Sequence, residues 1–69
     1  MTAHLFQTKV YFTEANRAHN ICRSQWVVAY GATRTVATPK AMRKTYALWN
    51  RWDLFSVELE YHGKIEVAS

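Results

Sequence analysis

The sequence predicts a small α+β domain, an antiparallel sheet in the order β-β-α-β-β with one helix packed on one face. Residues 5–12 and 55–67 alternate apolar with other side chains, the period of strands, and Thr38-Pro39 opens a stretch whose apolar residues recur at helical spacing. With 49% hydrophobic and 14% aromatic residues, two glycines and one proline, the composition is that of a packed chain. At 69 residues there is material for one core, so residues 1–69 are expected to form a single domain.

In residues 5–12, Phe6, Thr8, Val10 and Phe12 fall on one face and Leu5, Gln7, Lys9 and Tyr11 on the other. Residues 13–24 are polar and lack that period; Ala15, Ala18 and Cys22 leave a loop and a short helical turn equally open. Residues 25–30 are rich in β-branched and aromatic side chains, with Trp26, Val28 and Tyr30 on one side. Gly31 then reads as a bulge or a turn before residues 33–37 resume an extended pattern. Thr38 is a good N-cap, and Pro39 suits the first helical position, where its missing N–H costs nothing. The helix is expected over residues 39–51, with Ala41, Met42, Thr45, Leu48, Trp49 and Trp52 as its apolar stripe. Beyond it, Phe55, Val57, Leu59 and Tyr61 alternate with Ser56, Glu58, Glu60 and His62. A hairpin turning at Tyr61-His62-Gly63 would pair Leu59 with Ile65, Val57 with Val67, and Glu60 with Lys64.

Cys22 is the single cysteine, which excludes an internal disulfide and fits a reducing cytosol. No stretch approaches the roughly 18 apolar residues of a membrane span, and residues 1–7 lack the charged start and apolar run of a signal peptide. A soluble, unprocessed cytoplasmic protein without a membrane partner is expected.

Charge is distributed unevenly. Between Glu14 and Asp53 there is no acidic residue, while Arg17, Arg23, Arg34, Lys40, Arg43, Lys44 and Arg51 all fall in that interval. The last 17 residues reverse the balance, so the net charge of +4 understates the local field. On the expected helix, Lys40, Arg43, Lys44 and Arg51 lie away from the apolar stripe with no carboxylate to pair with. A surface helix usually mixes signs to gain i,i+4 pairs. A single-sign face suits phosphates or an acidic protein surface, although the same face on an ordinary helix keeps a protein soluble.

Other chemistry finds little support in the sequence. His4, His19 and His62 stand apart, without a second ligand type at metal-binding spacing, so no metal or cofactor is expected. Cys22 beside Arg23 reads better as a partly buried inert thiol than as a reactive one. With no nucleophile elbow, Gly-rich phosphate loop or base oriented by a second polar group, no catalytic residue is assigned and a non-enzymatic role is expected. Three Trp and four Tyr offer more aromatic surface than so small a domain covers. Most should be core, and those left outside could stack on bases or anchor a protein interface. Tyr46 is singled out, at the helix's edge between the apolar stripe and the basic face.

A strand pair, then Ala37-Thr38-Pro39-Lys40-Ala41-Met42 opening a helix, then Phe55-Ser56-Val57-Glu58-Leu59 with Gly63-Lys64 beyond it, resembles the layout of small phage-encoded host-takeover proteins. The likeness covers about residues 25–67 and is similar in plan to some type I anti-CRISPR proteins and to the small RNA polymerase inhibitor of T7-like phages. It implies a stoichiometric inhibitor docked on a large host complex. Positive charge sets the chain apart from acidic DNA mimics. The expected partner is therefore a host protein or ribonucleoprotein complex, a CRISPR surveillance complex or RNA polymerase. The expected contacts are Arg34, Lys40, Arg43, Lys44, Tyr46 and Arg51, on a monomer or homodimer. The alternatives are a small basic DNA- or RNA-binding protein and an accessory subunit whose exposed aromatics form an oligomer interface.

Overall fold

The computed structural model describes residues 2–66, with the side chain of Arg51 left out. The chain runs β1 (Thr2–Tyr11), α1 (Glu14–Ala18), β2 (Arg23–Tyr30), α2 (Arg34–Leu48), a 3₁₀ turn (Arg51–Asp53) and β3 (Ser56–Glu66). The three strands form one antiparallel sheet in the order β2-β1-β3. The α+β class and the single main helix on an antiparallel sheet agree with the sequence. The element order does not: three described strands replace the four expected.

β1 is the centre of the sheet and the reason for that difference. Phe6, Thr8 and Val10 pair with Val27, Gln25 and Arg23 on one side and with Tyr61, Leu59 and Val57 on the other. Residues expected to fold back as a hairpin instead run as one strand along the whole of β1. Leu59 lies opposite Thr8, Ile65 opposite Ala3, Glu60 opposite Gln7 and Lys64 opposite His4. The expected partner of Val57, Val67, lies outside the described residues. Gly63 stands at φ 118° beside a register shift between Leu5 and Phe6. It is a bulge residue that lets β3 cross the shift, and no loop forms there.

Of residues 33–37, expected to be extended, residues 34–37 are helical. Thr33 rather than Thr38 is the N-cap, its hydroxyl accepting a hydrogen bond from the Val36 N–H at 3.3 Å. Pro39 then falls inside α2, where it withholds one N–H from the helix. Packing favours the earlier start: Ala37 and Ala41 are both completely buried, in one cluster with Phe6, Val27 and Ala29. An extended segment at 33–37 would have kept Ala37 out of that cluster. The small side chains of Ala29, Ala37, Ala41 and Thr45 are all buried between α2 and the sheet. Gly31 belongs to the link from β2 to α2, and a Cβ there would lie 3.1 Å from Val36 Cγ1 and 3.3 Å from the Ala37 nitrogen. It is glycine where the helix start comes close, and it is not a bulge within a strand. The expected stripe is correspondingly displaced, for Leu48 is 57% and Trp52 86% exposed.

His4, outside the strand expected over residues 5–12, is buried within β1. Its Nε2 lies 3.0 Å from the Gly31 carbonyl oxygen and its Nδ1 2.8 Å from the Tyr61 hydroxyl. A carbonyl only accepts, so Nε2 carries a proton and donates to it, while the Tyr61 hydroxyl completes the pairing at Nδ1. The residue joins β1, the β2–α2 link and β3. On the sheet's opposite face, α1 packs on β1 near Tyr11, whose ring lies 5.2 Å from the Arg17 guanidinium carbon. Among the described residues no helix is long and apolar enough to cross a membrane.

Candidate partner-binding surface

The residues expected to share one basic surface are divided by the fold. Lys40 and Lys44 stand one helical turn apart on α2 and both turn toward β2, an edge strand. Lys40 Nζ donates to the Tyr30 carbonyl oxygen at 2.9 Å, and Lys44 Nζ donates to that of Val28. Both carbonyls are alternate acceptors along one side of β2, and the two ammonium groups cap them. Backbone carbonyls carry no net charge, so the lysines are positioned without being neutralised.

Arg34 takes another direction. As the first residue of α2 it places its guanidinium carbon 4.4 Å from the centre of the Tyr61 ring, on the β3 side of the helix. That cation–π contact ties it to the ring that also serves His4. Arg43 is exposed and makes no ion pair among the described residues. Tyr46 is half-buried. Arg51 begins the 3₁₀ turn, past the end of α2, and its side chain lies outside the described residues. Lys40, Lys44 and Arg43 therefore form one basic strip, with Arg34 apart from it.

Folding alters the charge map as well. The ion pairs among the described residues are Lys9–Glu60 and Arg17–Glu58 at 2.8 Å, with His62 Nε2 also 3.7 Å from Glu60, and none involves α2. The acidic third strand thus neutralises Arg17 and Lys9 across the sheet and leaves the helix uncompensated.

The sequence placed most of the aromatics in the core and missed what stands next to this strip. Of the seven Trp and Tyr side chains, only Tyr11 is fully buried. Trp26 is 56% and Tyr30 40% exposed, both on the sheet face opposite α2, where they share β2 with the half-buried Val28. The Trp26 ring meets that of His62 edge-on with centroids 4.7 Å apart. Lys44 Nζ lies 5.8 Å from the centre of the Tyr30 ring, so the basic strip and the aromatic pair meet along β2. The period-2 pattern of residues 25–30 already put Trp26, Val28 and Tyr30 on one side; only the packing of α2 on the other face left that side uncovered.

No family model, curated protein or solved structure matches the chain. The strand pair and the hairpin through which the sequence resembles phage host-takeover proteins are here one strand each. The surface must therefore be read from its own chemistry. Among the described residues no three His, Cys, Asp or Glu side chains lie close enough together to hold a metal ion. A shallow depression of about 310 Å³ lies beside Lys40, lined by Thr2, Tyr30, Gly31 and Ala32. Its size and openness suit an edge of the binding surface better than an enclosed substrate site.

Proposed function

We propose that the chain is a non-enzymatic binding protein that docks on a nucleic-acid-processing complex through the basic strip of α2 and the adjoining edge of β2. The observation that carries this reading is the pair of lysines held on the Tyr30 and Val28 carbonyls with Arg43 beside them, uncompensated by any described ion pair. Cations fixed in place lose less side-chain freedom on meeting a polyanionic surface than freely moving ones. Inhibition of a CRISPR surveillance complex or RNA polymerase is the setting that the sequence's resemblance to phage host-takeover proteins implies, and of that layout the fold keeps one main helix on an antiparallel sheet.

A tagged pull-down from bacterial lysate, with and without nuclease, tests the reading. The native chain is compared with Arg43→Glu and with the Lys40→Ala, Arg43→Ala, Lys44→Ala triple variant. A complex retained by the native chain and lost from both variants supports it. Equal retention by all three would sink it. Arg43→Glu keeps both carbonyl caps, so its loss of binding reports charge and not a damaged fold.

A second reading, a small nucleic-acid-binding protein in its own right, draws on the exposed Trp26 and Tyr30. Those side chains need an account of their own.

A further inference from the structure

The open face of the sheet leaves aromatic rings uncovered. We infer that Trp26 and Tyr30 form a stacking platform for single-stranded nucleic acid, with Lys40, Lys44 and Arg43 holding its backbone along the β2 edge. This rests on the binding role proposed above and narrows its partner to the nucleic acid of the complex.

Charge complementarity decides the occupant. The acidic side chains of the strands on this face are Glu58 and Glu60, both on β3, and each has a cationic partner: Arg17 for Glu58 and Lys9 for Glu60. At the opposite margin, β2, the charge is positive and uncompensated. A strand of nucleic acid laid along β2 would have its phosphates against the lysines and its bases over the aromatic rings, away from the carboxylates. An acidic protein patch could meet the strip, but its own carboxylates would match the lysines without supplying a row of flat rings for Trp26 and Tyr30 to stack on. Every base has a π-face, so stacking on such rings tolerates any sequence.

The spacing sets the length of ligand. Trp26 and Tyr30 are four residues apart on one strand face, about 13 Å. One base cannot stack on both rings, and Val28 floors the gap between them. A duplex keeps its bases stacked on one another and cannot offer them to the rings. The site therefore discriminates by strandedness and by length. His62 supports the first ring, its edge-on contact fixing the indole of Trp26.

The test is binding of a fluorescein-labelled oligo(dT) 12-mer to the full chain, followed by anisotropy across a salt series, with tryptophan emission recorded separately using unlabelled 12-mer. The expected result is binding that weakens as salt rises, with a log–log slope of about −2 for three phosphate contacts. Trp26→Ala and Tyr30→Ala should each weaken it by about 10-fold or more. Trp26→Phe keeps a ring, so it should retain most of the affinity while losing the ligand-induced quenching. Duplex and mononucleotide should bind at least 10-fold more weakly.

Both alanine changes are at exposed positions, and far-UV circular dichroism checks the fold. Affinity unchanged in both folded alanine variants overturns the platform, as does a preference for duplex. Self-association that buries Trp26 and excludes the 12-mer overturns it too, by making this face an interface between copies. If no oligonucleotide binds while a nuclease-resistant protein is still captured and lost with Arg43→Glu, the platform fails and the docking role stands.

Discussion

Lys44 reaches from α2 to the backbone carbonyl of Val28, so a helix side chain closes hydrogen-bonding capacity on an edge strand. Lys40 repeats the contact one turn earlier at Tyr30. An edge strand with open acceptors invites pairing with another chain, and lysines are a common guard against it. The same two residues thus protect the fold and supply the proposed phosphate contacts.

Replacing both by alanine should separate these roles. Exposed contacts of this kind contribute little each, so the double variant should lose no more than about 1–2 kcal/mol in urea unfolding. Its self-association should rise clearly, since β2 is then uncapped. Light scattering over a concentration series reads this out. A double variant as monodisperse as the native chain would refute the guarding role.

The start of α2 is testable through Thr33 and Pro39. Thr33 caps the helix, so Thr33→Ala should cost about 1 kcal/mol. Pro39 lies inside the helix, and Pro39→Ala restores an N–H there. The gain is reduced because proline also restricts the unfolded chain. A net stabilisation of about 1–2 kcal/mol, or several degrees in Tm, is expected. A helix that began at Pro39 would give the opposite pattern, with Thr33→Ala silent.

These residues also mark how far the sequence was legible. Local chemistry at Thr38-Pro39 is a good helix start, but Thr33 five residues earlier is as good a cap, and only burial of Ala37 against Phe6 and Val27 decides between them. Alanine carries too weak an apolar signal to reveal that from periodicity. The alternation of residues 5–12 was legible because Phe6, Thr8 and Val10 of β1 are buried while Leu5, Gln7 and Lys9 on its other face are only half-buried. The hairpin reading failed at Gly63, since positive φ serves a bulge as well as a loop, and the choice depended on β1 being long enough to pair throughout. The basic character of residues 40–44 was plain. That Arg34 would turn to Tyr61 and Lys40 to Tyr30 depends on contacts distant in sequence.

Gly63 gives a third prediction. Its φ of 118° is unfavourable for any side chain, while a Cβ there would meet nothing within 4 Å. Gly63→Ala should therefore destabilise through the backbone alone, by about 1–3 kcal/mol, with no repacking of neighbours. Urea denaturation gives the loss. Unchanged chemical shifts for Phe6 and Leu59 would show that the core is untouched.

Tyr11 gives a prediction in pH. Its hydroxyl donates to Glu58 at 3.3 Å, and the side chain is only 3% exposed. Burial, reinforced by the Glu58 carboxylate, raises its pKa above the ordinary value of 10.0, while Arg17 opposes the shift. The anionic form is thus disfavoured in the fold, and the folded state holds the proton to higher pH than the unfolded state does. Stability from this source is intact below pH 10.0 and declines as pH rises from there through the raised folded value. The native chain should lose more stability than Tyr11→Phe between pH 8 and pH 11, measured as the change in urea midpoint. The phenylalanine variant starts lower at pH 8, because it lacks the hydrogen bond to Glu58, and the gap between the two should narrow as pH rises. A constant gap would mean that Tyr11 ionises alike in both states, and that its burial between α1 and the sheet does not hold the phenol neutral.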